Sequence, residues 1–160
     1  MVKHLTLLLF VLLIGCEINS EQLIKSENIN YENIKFNAVS KDLKFTNNQE
    51  GIEVGIAKKL INDWFNNNVK TDGFDGTLNI NVTSIETNKI EKDEYYRFEI
   101  SLSIEFLETN ETLKKRKIYK INSLEYGVIE GSFSIKEKEI LNKNIISQSL
   151  KSINQKVSKM

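Results

Sequence analysis

The sequence predicts an α+β fold, a two-layer sandwich in which two helices lie on one face of a mainly antiparallel sheet of three to four strands, the longer helix being C-terminal. Three observations carry this. Tyr96, Phe98, Ile100, Leu102, Ile104 and Phe106 hold six successive alternate positions, with Arg97, Glu99, Ser101, Ser103 and Glu105 between them. Period two over that length is a strand roughly 35 Å long with one face on a core and one in water. Ile56, Leu60, Ile61, Trp64 and Phe65 recur at three and four, the stripe of an amphipathic helix. Ile135, Leu141, Ile145, Ile146, Leu150, Ile153 and Val157 line a second helix, opened by a capping box of Ser134 with Glu137. That helix is also roughly 35 Å long, enough to lie along the strand. With 160 residues, 40% apolar and 28% charged, the chain suits one folded domain.

Residues 16–33 read as a polar tether and 34–160 as the single domain. Ile34-Lys35-Phe36-Asn37-Ala38-Val39 alternates like a half-buried strand, and 41–51 reads as a polar connection. The helix over 52–69 ends at the Asn66-Asn67-Asn68 run and Asp72-Gly73, because asparagine disfavours helix interiors and glycine suits a C-cap. Asp72-Gly73-Phe74-Asp75-Gly76 is turn chemistry leading to a strand over 77–87. There Leu78, Ile80 and Val82 face one way, and the step to Ile85 breaks their phase, which predicts a bulge. A polar turn at 88–93 contains Ile90. The long strand follows, then a turn at 108–111 and a lysine-rich return strand over 112–124. Tyr126-Gly127 and Glu130-Gly131 mark the loop before the last helix.

Residues 1–15 read as a signal peptide: Lys3 supplies a positive start, and Leu5 to Ile14 is apolar apart from Thr6. Such a run rises about 15 Å as a helix, half a hydrocarbon core. Directly after it, Leu13-Ile14-Gly15-Cys16 resembles the lipobox of bacterial lipoproteins. The resemblance implies cleavage before Cys16 and lipidation of its thiol; the alternative is a buried N-terminal helix with an incidental cysteine. A single acyl chain binds membranes marginally, whereas a cysteine bearing several is held firmly. The residue after it, Glu17, is not the aspartate that usually retains such proteins at the inner membrane, so the resemblance implies an outer-membrane anchor in a diderm cell.

Processing at that point would remove His4, the single histidine, and acylate the single cysteine. That excludes Ser–His–Asp and Cys–His catalysis and histidine-ligated zinc. No glycine-rich phosphate loop is present, and no cofactor or metal is expected. A paired-carboxylate hydrolase needs only Asp and Glu and stays open. The Asp72–Gly76 segment lacks the spacing of an EF-hand and reads as a tight turn rather than a calcium loop. Equal numbers of basic and acidic residues, 22 each, give no net field to attract nucleic acid. Lys114, Lys115, Arg116 and Lys117 form the one dense basic run; on a strand Lys115 and Lys117 point one way, Lys114 and Arg116 the other. They serve either as a charged edge that resists strand pairing or as a grip on anionic groups. Trp64 and Phe65 read as core. Tyr95, Tyr119 and Tyr126 suit either packing or a partner contact.

The lipobox, the tether, the Trp64 helix and the Gly73-Phe74-Asp75-Gly76 turn look like uncharacterised lipoproteins of alphaproteobacteria, loosely over 52–157. The two long strands from Tyr96 to Ser123, with their basic return, are similar in outline to the LPS-assembly lipoprotein family. These resemblances imply a non-enzymatic outer-membrane lipoprotein with a periplasmic domain, an accessory or assembly factor that contacts an envelope protein. The alternatives are a module for anionic lipid or lipopolysaccharide, using Lys114–Lys117, and a carboxylate hydrolase.

Overall fold

The computed structural model describes residues 29–46 and 49–160. The element order is β1 (Ile34–Phe36), β2 (Ser40–Phe45), α1 (Ile52–Asn68), β3 (Val69–Thr71), β4 (Thr77–Lys92), β5 (Tyr95–Asn110), β6 (Lys115–Glu130) and α2 (Ile135–Val157). Strands β2-β4-β5-β6 form one sheet, antiparallel except for the parallel β2–β4 pair, and β1 and β3 form a small parallel sheet. This is the expected α+β sandwich with its longer helix C-terminal.

The expected period of β5 is exact. Tyr96 through Phe106 are buried at every second position, opposite Ile80 and Val82 of β4 and Ile121 of β6. Helix α2 lies over β5 and β6, α1 over β4, and the helices touch each other. Phe36 stacks on Phe106, and Trp64 meets the same ring edge-on. Trp64 is therefore core, and Phe65 packs against the core from its margin. The capping box forms as read: Glu137 N–H donates to Ser134 Oγ, and Ser134 N–H to the Glu137 carboxylate. The β4 register shifts between Val82 and Ser84, which restores Ile85 to the core face after the break in phase.

Several boundaries differ from expectation. Residues 40–45 are a strand, not a connection, and the first strand stops at Phe36. Only Leu43 and Phe45 of β2 are apolar, but an edge strand tolerates Lys41, Asp42 and Lys44. Helix α1 ends at Asn68 without a glycine cap, because the chain runs straight into β3 beside β1. The Asn68 amide instead donates to the Tyr31 carbonyl at 2.7 Å. The expected turn at 88–93 is the end of β4, and that at 108–111 is largely the end of β5; the reversals lie at Asp93-Glu94 and at 111–114. Paired over sixteen residues each, the two hairpins carry polar ends that composition alone marks as loop. Tyr126-Gly127 lies inside β6, where a Cβ on Gly127 would press on Leu141 and Ile145 of α2. Glycine there permits close helix–sheet approach. Ile135, expected on the buried stripe, is exposed in the first turn of α2.

Among the described residues no helix covers the sheet's other face. Asn79 and Asn81 of β4 stand beside Leu107 and Glu105 of β5, and Arg97 pairs with Glu99 at 2.7 Å. Near the β6 edge this face turns apolar, with Ile118, Leu124 and Tyr126 exposed.

Candidate functional site

The signal-cleavage residues Leu13, Ile14 and Gly15, the lipid attachment residue Cys16 and most of the tether lie outside the described residues. The basic run lies within them, at one end of the sandwich. The β5–β6 hairpin closes through 111–114. Leu113 N–H donates to Asn110 Oδ1 at 2.7 Å, and Lys114 N–H to the Glu111 carbonyl at 3.3 Å. Lys114 adopts φ of 50°, the left-handed conformation a tight reversal needs. It therefore belongs to the turn and not to the strand, and the expected two-and-two alternation holds for three residues only. Arg116 faces the uncovered side of the sheet, opposite Thr109, while Lys115 and Lys117 lie on the helix side, opposite Asn110 and Glu108.

A second loop, Asp72–Gly76, is fastened to this turn. Asp75 Oδ2 accepts the Thr112 N–H at 2.8 Å, and those bonds hold its carboxyl below the usual aspartate range. Gly76 has φ of 87°, and a Cβ there would collide with the Thr109 carbonyl, so glycine is required on both counts. The Thr77 and Thr109 hydroxyls meet at 2.8 Å just below. The segment is thus the turn it was read to be, locked against a neighbouring hairpin. Among the described residues no group of three or more acids or other ligands could hold a metal.

The two loops project two apolar side chains, Phe74 at 100% exposure and Leu113 at 61%. Lys114, Lys115, Arg116 and Lys117 are all exposed beside them. Lys117 Nζ lies 3.9 Å from Glu108. A shallow hollow of about 190 Å³ opens here between Asn37, Glu108, Asn110, Leu113, Lys115 and Lys117. The sequence made the lysines visible; Phe74 was hidden inside turn chemistry, and tertiary contacts, the Asp75–Thr112 bond and the Thr77–Thr109 pairing, bring its loop to their turn.

Elsewhere, polar side chains serve packing. Glu53 Oε1 accepts from Lys89 Nζ at 2.6 Å and from the Asn142 amide at 3.3 Å, while Asn142 Oδ1 accepts from the Tyr96 hydroxyl at 2.8 Å. Burial raises the Tyr96 pKa, more than its bond to Asn142 lowers it. Of the three tyrosines considered as partner contacts, Tyr95 and Tyr119 are half-buried, and Tyr126 is exposed with the Arg97 guanidinium 4.6 Å above its ring. Among the described residues no helix is long and apolar enough to cross a membrane.

No family model matches the chain, and no curated protein does. Solved structures with a related layout include several bacterial lipoproteins. The minor lipoprotein of Acinetobacter baumannii is 9% identical with a TM-score of 0.45, covering 75% of this chain and 90% of its own. The uncharacterized lipoprotein B of Nitrosomonas europaea is 9% identical, TM-score 0.42, with 84% and 91% covered. The rare lipoprotein B of Shewanella oneidensis is 17% identical, TM-score 0.39, with 75% and 94% covered. In each the likeness is one of fold.

Proposed function

We propose that this chain is a lipid-anchored protein of the bacterial envelope that works through surface contacts as an accessory or assembly factor. Leu13-Ile14-Gly15-Cys16, placed directly behind a short apolar run, is the observation that carries the reading. Cleavage before Cys16 and acylation of its sulfur would hold the domain at a bilayer through residues 17–28. Glu17 after the cysteine favours the outer membrane, with the domain in the periplasm. Support comes from charge pairing: the half-buried Glu53, Glu99, Glu105 and Glu108 each face a lysine or an arginine. The uncovered sheet face, apolar at Ile118, Leu124 and Tyr126, suits an envelope protein partner.

Metabolic labelling with a palmitate analogue tests the anchor. The wild-type chain is expected to take the label and to sediment with outer-membrane fractions, and Cys16→Ser to lose it. Label retained by Cys16→Ser, or a native protein that begins at Met1 with a bare thiol, would overturn the reading. Crosslinking from a photoreactive group at Leu124 tests the partner face; the expected product is one envelope protein, and an uncrosslinked monomer in intact cells argues against that surface.

A further inference from the structure

We propose that the paired loops Asp72–Gly76 and 111–114 form a docking tip that seats the domain on a bilayer rich in anionic phospholipid. The inference deepens the anchored reading and rests on it for delivery of the tip to a membrane. Phe74 and Leu113 each stand one residue away from the Asp75–Thr112 hydrogen bond, so both exposed apolar side chains belong to one preorganised end of the sandwich. A fully exposed phenylalanine costs solubility with no return in the folded core, whereas at a headgroup boundary it buries its ring.

Charge identifies the surface that would receive it. Residues 111–117 hold four cations and one carboxylate, Glu111. The nearby acids Asp72, Asp75 and Glu108 are turned toward Lys35, onto the Thr112 amide and toward Lys117 respectively. Lys114 follows Leu113 directly, Lys115 comes next on the helix side, and Arg116 lies on the opposite sheet face. Apolar fingers within a basic collar match an anionic interface, where the Phe74 ring and the Leu113 side chain enter the acyl boundary and the cationic groups stay among phosphates. Reach is sufficient. The twelve residues 17–28 span up to roughly 40 Å when extended. The anchor therefore leaves the domain free to turn this end toward the bilayer.

The test uses the acylated full chain reconstituted in vesicles. Cys16 is the sole cysteine, so a cysteine placed at Leu113 takes an environment-sensitive fluorophore at one site. With phosphatidylglycerol and phosphatidylcholine in equal parts, the probe at 113 is expected to shift blue and to be quenched by a lipid-borne quencher. In phosphatidylcholine alone, and for a probe at Asp93 on the opposite end, it stays in water. Each cation near such a surface strengthens association about fivefold, so Lys114→Gln, Lys115→Gln and Arg116→Gln together should weaken docking roughly a hundredfold. Phe74→Ser, which leaves the charges in place, should also reduce quenching at 113. Equal probe signals in both lipids, or equal signals at 113 and 93, would overturn the docking tip. Fluorophore on Cys16 itself would instead overturn the anchored reading, and the two failures are read separately.

Discussion

Trp64 Nε1–H donates to Asn154 Oδ1 at 2.7 Å, joining α1 to α2 inside the core. Both residues are almost wholly buried, and the indole edge also meets Phe106 of β5. One side chain thus ties both helices to the central strand. The bond also explains why α2 can keep Asn154 on its buried stripe: an amide there is tolerable because its acceptor is filled.

Removing the acceptor exposes what the bond contributes. Asn154→Leu leaves the indole N–H buried without a partner and is expected to cost about 1–3 kcal/mol. Trp64→Phe removes the donor and opens a cavity as well. The double variant Trp64→Phe/Asn154→Leu should be less destabilised than the two singles added together, because no orphaned polar group remains. Urea unfolding of all four proteins checks this, and strict additivity would mean the bond contributes nothing. Trp64 is the only tryptophan, so its emission should redden in Asn154→Leu if the site admits water.

The contrast between two glycines tests the geometry of the docking end. Gly76 and Gly131 have nearly the same left-handed φ, 87° and 86°, but a Cβ on Gly76 meets the Thr109 carbonyl while one on Gly131 meets nothing within 4 Å. Gly131→Ala should therefore carry only the conformational cost, about 1–2 kcal/mol. Gly76→Ala must also displace backbone and is expected to cost clearly more than that, with loss of protection at the Thr112 amide in hydrogen exchange. Equal costs for the two would show that the close approach at Thr109 is not a constraint.

What the sequence revealed and what it hid follow from how local each signal is. The period of β5, the stripe of α2 and the Ser134 capping box are written in consecutive residues, and all are realised except at Ile135, which the first turn of α2 leaves exposed. β2 is different. Its pairing with β4 is parallel and non-local, and its charged residues carry no alternation strong enough to announce a strand. Lys41 shows why: its ammonium donates to the carbonyls of Phe65 and Val69 at 2.7 and 2.6 Å and lies over the Phe65 ring. A lysine that serves as the missing cap of α1 looks, in sequence, like loop polarity. The basic run was legible for the same reason as β5, by being contiguous. Its apolar companion Phe74 was not, because 38 positions separate it from Thr112 and the contacts that join the two loops are all tertiary.

Glu53 makes acid stability depend on one half-buried junction. Burial pushes its carboxyl pKa up, but Lys89 and the bonds from backbone and Asn142 outweigh burial, so the net shift is below the ordinary glutamate range. An acid that binds protons more weakly when folded favours the folded state while it is ionised. Its contribution is complete above the ordinary glutamate range and disappears as pH falls through the lower, folded-state value. Glu53→Gln keeps the shape and can still meet Asn142, but it loses the charge that holds Lys89 at 2.6 Å. Its urea midpoint should lie below wild type at pH 7, and the gap should close as pH falls through the acid range. The variant's stability should therefore vary less with pH across that interval. A constant gap from neutral to strongly acid pH would mean that the Glu53 charge plays no part in joining α1 to β4 and α2.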